Sequence, residues 1–95
     1  MPAYAIFIRE RTRDPKHLAT YTPKAGASIE GRDLKVLAVY GRQEVLEGPP
    51  MEGAVILEFP TLEAAKAWYE SPAYREAREH RFLGADYRAF IVEGV

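Results

Sequence analysis

The sequence predicts an α+β fold of the ferredoxin-like kind, a four-stranded antiparallel sheet with its helices on one face, in one domain over residues 1–95. Three observations lead there. Gly53 to Phe59 holds an unbroken apolar run, too short and too β-branched for a helix, and it hands directly into a helical pattern. Tyr4 to Glu10 is a second such run that also precedes a helical pattern. Two further strand-like runs complete the order β-α-β-β-α-β. Right-handed crossovers then give the spatial strand order 4-1-3-2.

In chain order, Tyr4, Ile6 and Ile8 point one way from the first strand and Ala5 and Phe7 the other. Asp14-Pro15 starts the first helix, Asp as N-cap and Pro at the position where its missing N–H does no harm. Leu18, Tyr21, Thr22, Ala25 and Ile29 form the inward stripe. Pro23 predicts a kink or a two-piece helix, because it removes a hydrogen bond and crowds the preceding turn. Gly31 is the expected end. Lys35 to Tyr40 reads as the second strand, Gly41 as a bulge, and Gln43 to Leu46 as continued pairing. Gly48-Pro49-Pro50 turns the chain into the third strand, which Pro60 stops.

Thr61 caps the next helix, whose Leu62, Ala65 and Tyr69, with Trp68 beside them, share a face. Ser71-Pro72 recaps the chain for a second helical piece through about His80. Gly84 ends the helical region, Phe82-Leu83 pin the connection, and Tyr87 to Glu93 is the fourth strand. An antiparallel sheet with one wet face alternates apolar and polar residues. Ala5-Ile6-Phe7-Ile8, Val36-Leu37-Ala38-Val39 and Ala54-Val55-Ile56-Leu57 do not. Such a face exceeds the roughly 300–600 Å² patch a soluble monomer tolerates. A homodimer through the open sheet face is therefore expected.

Composition excludes several classes of function. Thirteen basic against fourteen acidic residues give a net charge of −1, which argues against nucleic acid and anionic membrane as partners. The third strand has the outline of an RNA-binding strand, but aliphatics stand where stacking aromatics are required. The absence of Cys excludes disulfides, thiolate catalysis and Cys-ligated metal. The apolar run near the N-terminus stops at Ile8 with no basic segment before it, so neither a signal peptide nor a membrane span is expected, and the cytoplasm is the expected location. His17 and His80 lie on separate helices without a chelating spacing, and no phosphate-binding glycine loop occurs. Metal and cofactor are therefore expected to be absent.

Topology supplies the strongest constellation. Arg9 and Arg11 at the end of the first strand come near Asp86 and Arg88, and Arg42, Arg78, His80 and Arg81 gather at the same end. Ion pairing would account for such a cluster without any ligand. As a site, Arg9 and Arg88 would grip a carboxylate if their strands pair in phase. Tyr21 and Trp68 would wall the apolar part of the ligand. The catalytic residue is not identified by the sequence; His80 is the one candidate whose ordinary pKa suits proton transfer near neutrality. The bland reading of His80 is a cation at a helix C-terminus, and that of His17 a solvated side chain.

The run Glu58-Phe59-Pro60-Thr61-Leu62-Glu63-Ala64-Ala65, followed by Ala67-Trp68-Tyr69-Glu70-Ser71-Pro72 and Tyr74, resembles the core motif of domain-of-unknown-function family 1330. Ala3-Tyr4, Asp14-Pro15 with Tyr21, Glu44 to Gly48, and Arg88 to Gly94 extend the likeness over nearly the whole chain. One departure stands out: the family often carries an Arg and two glycines where this chain has Val39, Tyr40 and Gly41. The resemblance implies a ferredoxin-like fold whose sheets pair into a dimeric α+β barrel. By analogy of architecture with cofactor-independent monooxygenases and lactone isomerases, it implies a small-molecule binder or cofactor-independent enzyme acting on an organic acid or aromatic compound. The alternative is a non-catalytic structural or ligand-sensing dimer module.

Overall fold

The computed structural model describes residues 1–95 as seven elements. These are β1 (Ala3–Thr12), α1 (Pro15–Ser28), β2 (Lys35–Val39), β3 (Gly53–Phe59), α2 (Leu62–Tyr69), α3 (Pro72–Gly84) and β4 (Ala85–Glu93). The sheet order is β2-β3-β1-β4 and every pair is antiparallel. This is the ferredoxin-like arrangement. Each helix begins with the cap its sequence provides. Asp14, Thr61 and Ser71 accept from the backbone N–H of Lys16, Ala64 and Tyr74 respectively.

Strand register separates the two sheet faces. Ala3, Ala5 and Phe7 stand opposite Phe59, Leu57 and Val55, and this face lies under the helices. Tyr4, Ile6 and Ile8 stand opposite Glu58, Ile56 and Ala54 on one side and Val92, Phe90 and Arg88 on the other. That second face is apolar and carries no helix. Phe90 and Val92 remain 48% and 45% exposed on it, with the Lys35–Glu58 and Arg88–Glu10 pairs at its rim.

Four local expectations are corrected. Helix α1 runs through Pro23 as one element rather than two pieces, and both Pro23 and Ala19, whose carbonyl loses its donor, are exposed. It ends at Ser28, ahead of Gly31, which takes φ +76° in the following turn. The bulge falls between Val36 and Ala38 rather than at Gly41. Tyr40, at φ +50°, turns the chain away from β3, so Gln43 to Leu46 do not pair and Leu46 is left exposed. Helix α3 runs to Gly84, the residue at which the helical region is expected to end.

Helices α1 and α3 meet at Gly84. Its carbonyl accepts the backbone N–H groups of Arg13 and Asp14 at 2.8 and 2.9 Å. A β-carbon built on Gly84 would lie 2.9 Å from the Leu18 side chain and 3.1 Å from its backbone nitrogen. Gly84→Ala is therefore expected to lower stability by about 1–3 kcal/mol, because backbone as well as side chain must move. The denaturant midpoint measures it; an unchanged midpoint would mean that the two helices part freely there.

Candidate functional site

The interior between helices and sheet is built from aromatic rings whose polar tips pair with one another. Trp68, 2% exposed, packs edge-on to Phe7 at 5.9 Å and lies 4.2 Å from the ring of Tyr74. Its Nε1–H donates to Ser28 Oγ at 3.1 Å, joining α2 to the end of α1. The Tyr21 and Tyr74 hydroxyls share a hydrogen bond of 2.9 Å across α1 and α3. Tyr40 and Tyr87 share another between the ends of β2 and β4. Burial pushes Tyr21, Tyr40 and Tyr74 well above the ordinary phenol value, and the hydroxyl partners of Tyr21 and Tyr40 push the same way.

Arg81 stands among these rings with 3% of its surface exposed. Its guanidinium carbon lies 5.4, 5.0 and 5.0 Å from the ring centres of Phe7, Phe82 and Tyr87. One nitrogen donates to the Tyr69 hydroxyl at 3.3 Å, while Nε is buried without a hydrogen-bond partner. None of the ion pairs of the protein includes it. Its charge reaches Tyr21 and Tyr74, where it opposes the rise that burial causes. A permanently charged group buried without a carboxylate is the most costly feature of the interior.

Besides an opening of about 340 Å³ between α2 and β4, lined by Phe7, Trp68 and Tyr69 among others, two more flank this cluster. An apolar cavity of about 210 Å³ lies between α1 and the sheet, walled by Phe7, Tyr21, Tyr40, Val55, Leu57 and Trp68 among others. A cleft of about 420 Å³ opens beside α3 and β4 and reaches Arg81, Tyr69 and Tyr87. Tyr40 belongs to the cavity, Tyr87 to the cleft, and their hydroxyls meet. Arg9 covers the ring of Tyr40 at 4.5 Å. Its Nε is 2.9 Å from a Glu52 oxygen but out of line for a hydrogen bond. Glu52 is held below the usual carboxylate range, first by its hydrogen bonds from Thr12 and then by Arg9.

The structure brings some of the residues singled out in the sequence together and separates others. Tyr21 and Trp68 do line one cavity, and Arg9 reaches its Tyr40 wall. Arg88 does not join them. It stands opposite Ile8 while Arg9 stands opposite Tyr87, so the two arginines point to opposite sheet faces. Asp86 is occupied by Arg11 and Arg13, at 3.5 and 2.8 Å, as the ion-pair reading of the cluster expected. His80 lines neither opening. It lies half-buried on the outer side of α3, its Nδ1 3.3 Å from that of His17, which is thereby not the solvated side chain expected. Arg81 was grouped with the rim charges by sequence reasoning. The signal that places it inside was present: Tyr74, Ala77, Arg81 and Gly84 form the buried stripe of α3 at helical spacing, with a charge in an apolar position.

The raised phenols make a pH prediction. For each, the folded value lies above the unfolded value of about 10, so ionisation favours the unfolded chain. Their contribution is complete below about pH 10 and is lost as pH rises through the higher folded values. On alkaline titration the phenolate absorbance of Tyr21, Tyr40 and Tyr74 is expected to appear only with unfolding. A single free-phenol wave from all six tyrosines in folded protein would contradict a dry interior.

Solved structures share this architecture. A protein of unknown function from Rhodopseudomonas palustris is 25% identical, with 99% of this chain and 82% of that one covered and a TM-score of 0.73. A dimeric ferredoxin-like protein of unknown function from Thermobifida fusca is 15% identical, with 97% and 90% covered and a TM-score of 0.65. SnoaB, a cofactor-independent oxygenase from Streptomyces nogalater, is 5% identical, with 99% and 93% covered and a TM-score of 0.63. The latter two similarities concern the fold alone. No curated protein matches. The model of the family described as domain of unknown function DUF1330 matches residues 2–95, and the chain belongs to that family.

Proposed function

We propose that this chain is a homodimeric binding protein for a small aromatic or apolar carboxylic acid, seated between helices and sheet. The observation that carries this reading is Arg81, a buried guanidinium with no carboxylate partner and an orphaned Nε. Arg81 opens to the cleft of about 420 Å³, and the ring of Phe7 beneath it also walls the cavity of about 210 Å³, which sets the size of the apolar part. That cavity exceeds the ~150 Å³ that accepts benzene and falls short of the ~300 Å³ where drug-sized pockets begin, so one substituted ring is the scale. Tyr21 and Trp68 wall that ring, and Tyr40 of the cavity wall shares a hydroxyl hydrogen bond with Tyr87, whose ring centre lies 5.0 Å from the Arg81 guanidinium.

The interior favours binding over acid–base catalysis. Its polar groups are phenols raised above their ordinary range and an arginine that does not give up its proton. None of these transfers a proton readily near neutral pH. SnoaB supports a second reading, cofactor-independent oxygenation, as a likeness of fold. In that case the ligand must lose its proton to solvent, the resulting carbanion reacts with dioxygen, and the protein supplies the cation that stabilises it.

Binding and stability should separate at Arg81. Arg81→Met removes an unpaired buried charge and keeps similar length, so the melting temperature should stay level or rise. Affinity for benzoate-sized acids, measured by calorimetry against a panel, should fall by at least about tenfold, the scale of one charge-assisted contact. If wild type binds none of the panel, or Arg81→Met binds as well as wild type, the reading fails.

Pairing through the open sheet face rests on a different measurement. The apolar surface of Tyr4, Ile6, Ile8, Ile56, Phe90 and Val92 is expected to lie against a second copy. Light scattering should give twice the 10.7 kDa chain mass, and Ile6→Asp should reduce it to one. A wild-type monomer at micromolar concentration would reject the dimer.

A further inference from the structure

The ring of Phe7 divides the space under the helices in two. Phe7 lies on β1, which pairs with both β3 and β4, and it stands opposite Val55 on one side and Ala89 on the other. Trp68 of α2 meets it edge-on at 5.9 Å. Together the two rings wall the cavity of about 210 Å³ on the β3 side and the opening of about 340 Å³ on the β4 side. The opening exists because the strand residues beneath α2 are small. Ala5 and Ala89 leave room that Leu62 and Ile91 border without filling.

Arg81 stands over this partition. Its guanidinium carbon is 5.4 Å from the centre of the Phe7 ring. The cleft that it lines shares Tyr69 and Ala89 with the β4-side opening, so the cation borders that space as well. Lys66 is the only charged residue lining the opening, and it is exposed at the rim. The rest of the lining suits an uncharged, apolar group.

We propose that the acid bound here is branched: its carboxylate meets Arg81, and two apolar groups on the neighbouring carbon straddle Phe7, one in the cavity and one in the opening. This rests on the acid-binding reading above and extends it from one ring to two. Each space exceeds the ~150 Å³ that accepts benzene, so each takes a phenyl-sized group. An acid with a single ring uses one side only. A straight two-ring acid does no better, because Phe7 and Trp68 stand between the two spaces. Diarylacetic and α-alkyl arylacetic acids are the class that fits.

The test is calorimetric titration of the whole chain with phenylacetate, diphenylacetate and 4-biphenylcarboxylate. The second ring of diphenylacetate should tighten binding at least about tenfold over phenylacetate, the lower end for burying an aromatic side chain. 4-Biphenylcarboxylate, with nearly the same apolar area in a straight line, should show no such gain. Leu62→Trp fills the opening from α2 and should bring the diphenylacetate-to-phenylacetate affinity ratio to about one. Because a new ring could disturb α2, the wild type gives a second readout: the rings of bound diphenylacetate should show NOEs to the methyl groups of both Leu62 and Val55. If wild type binds none of the three acids, the acid-binding reading itself fails and this proposal falls with it. Where phenylacetate binds and Arg81→Met abolishes that binding, other results overturn the branched ligand alone. These are no gain for diphenylacetate, an equal gain for the biphenyl acid, a ratio that survives Leu62→Trp, or NOEs to only one of Leu62 and Val55.

Discussion

The indole of Trp68 is where the layers of this protein meet. It reaches Phe7 of β1, Phe59 of β3 and Tyr74 of α3, and its N–H fixes Ser28 at the end of α1. A buried indole needs a partner for its one donor, and Ser28 is the only buried residue of α1. The placement of α1, and hence the roof of the cavity, depends on that bond. The carbonyl of Trp68 in turn accepts from Ser71 Oγ at 2.7 Å, which sets the angle at which α3 departs. One side chain and its own backbone thus position all three helices.

The second constraint is the sheet itself, apolar on both faces. Helices can cover only one of them in a chain of this length. The split of roles follows from strand parity: Phe7 and Leu57 meet the helices, while Ile6, Ile56 and Phe90 face away. Charges obey the same parity. Arg9 turns inward beside Tyr40, and Arg88 turns outward to Glu10 at the rim of the open face. The proposed ligand site and the proposed dimer face therefore draw on different residues of the same strands.

Strand order, helix caps and the two-sided sheet were legible because each rests on local signals: apolar runs, Asp-Pro, Pro-Thr and Ser-Pro. What was not legible depended on register or on tertiary surroundings. Composition cannot decide whether Ile8 or Arg9 stands opposite Arg88, and one residue of slip reverses the answer. Pro23 does not split α1, where Ala19 and Pro23 are exposed and water can take up the freed carbonyl. Tyr40 takes a left-handed backbone that a Gly–Pro reading of turns passes over. The His17–His80 pair joins residues 63 apart in sequence, beyond any spacing motif.

Arg81 is the reason the proposed ligand is a charged rather than a neutral one. A buried phenol relieves its environment by keeping its proton, and Tyr21, Tyr40 and Tyr74 do so. Arginine has no such escape in the accessible pH range. Three ring faces within 6 Å each stabilise the guanidinium by about 0.5–2 kcal/mol, and the Tyr69 hydroxyl adds a single long hydrogen bond. Desolvating the ion costs several kcal/mol, and Nε is still unsatisfied. A neutral aromatic filling the cavity would leave that balance unchanged. A carboxylate would complete it, so under the proposed reading an acid should outbind its amide or ester isostere, and that difference should vanish with this one residue.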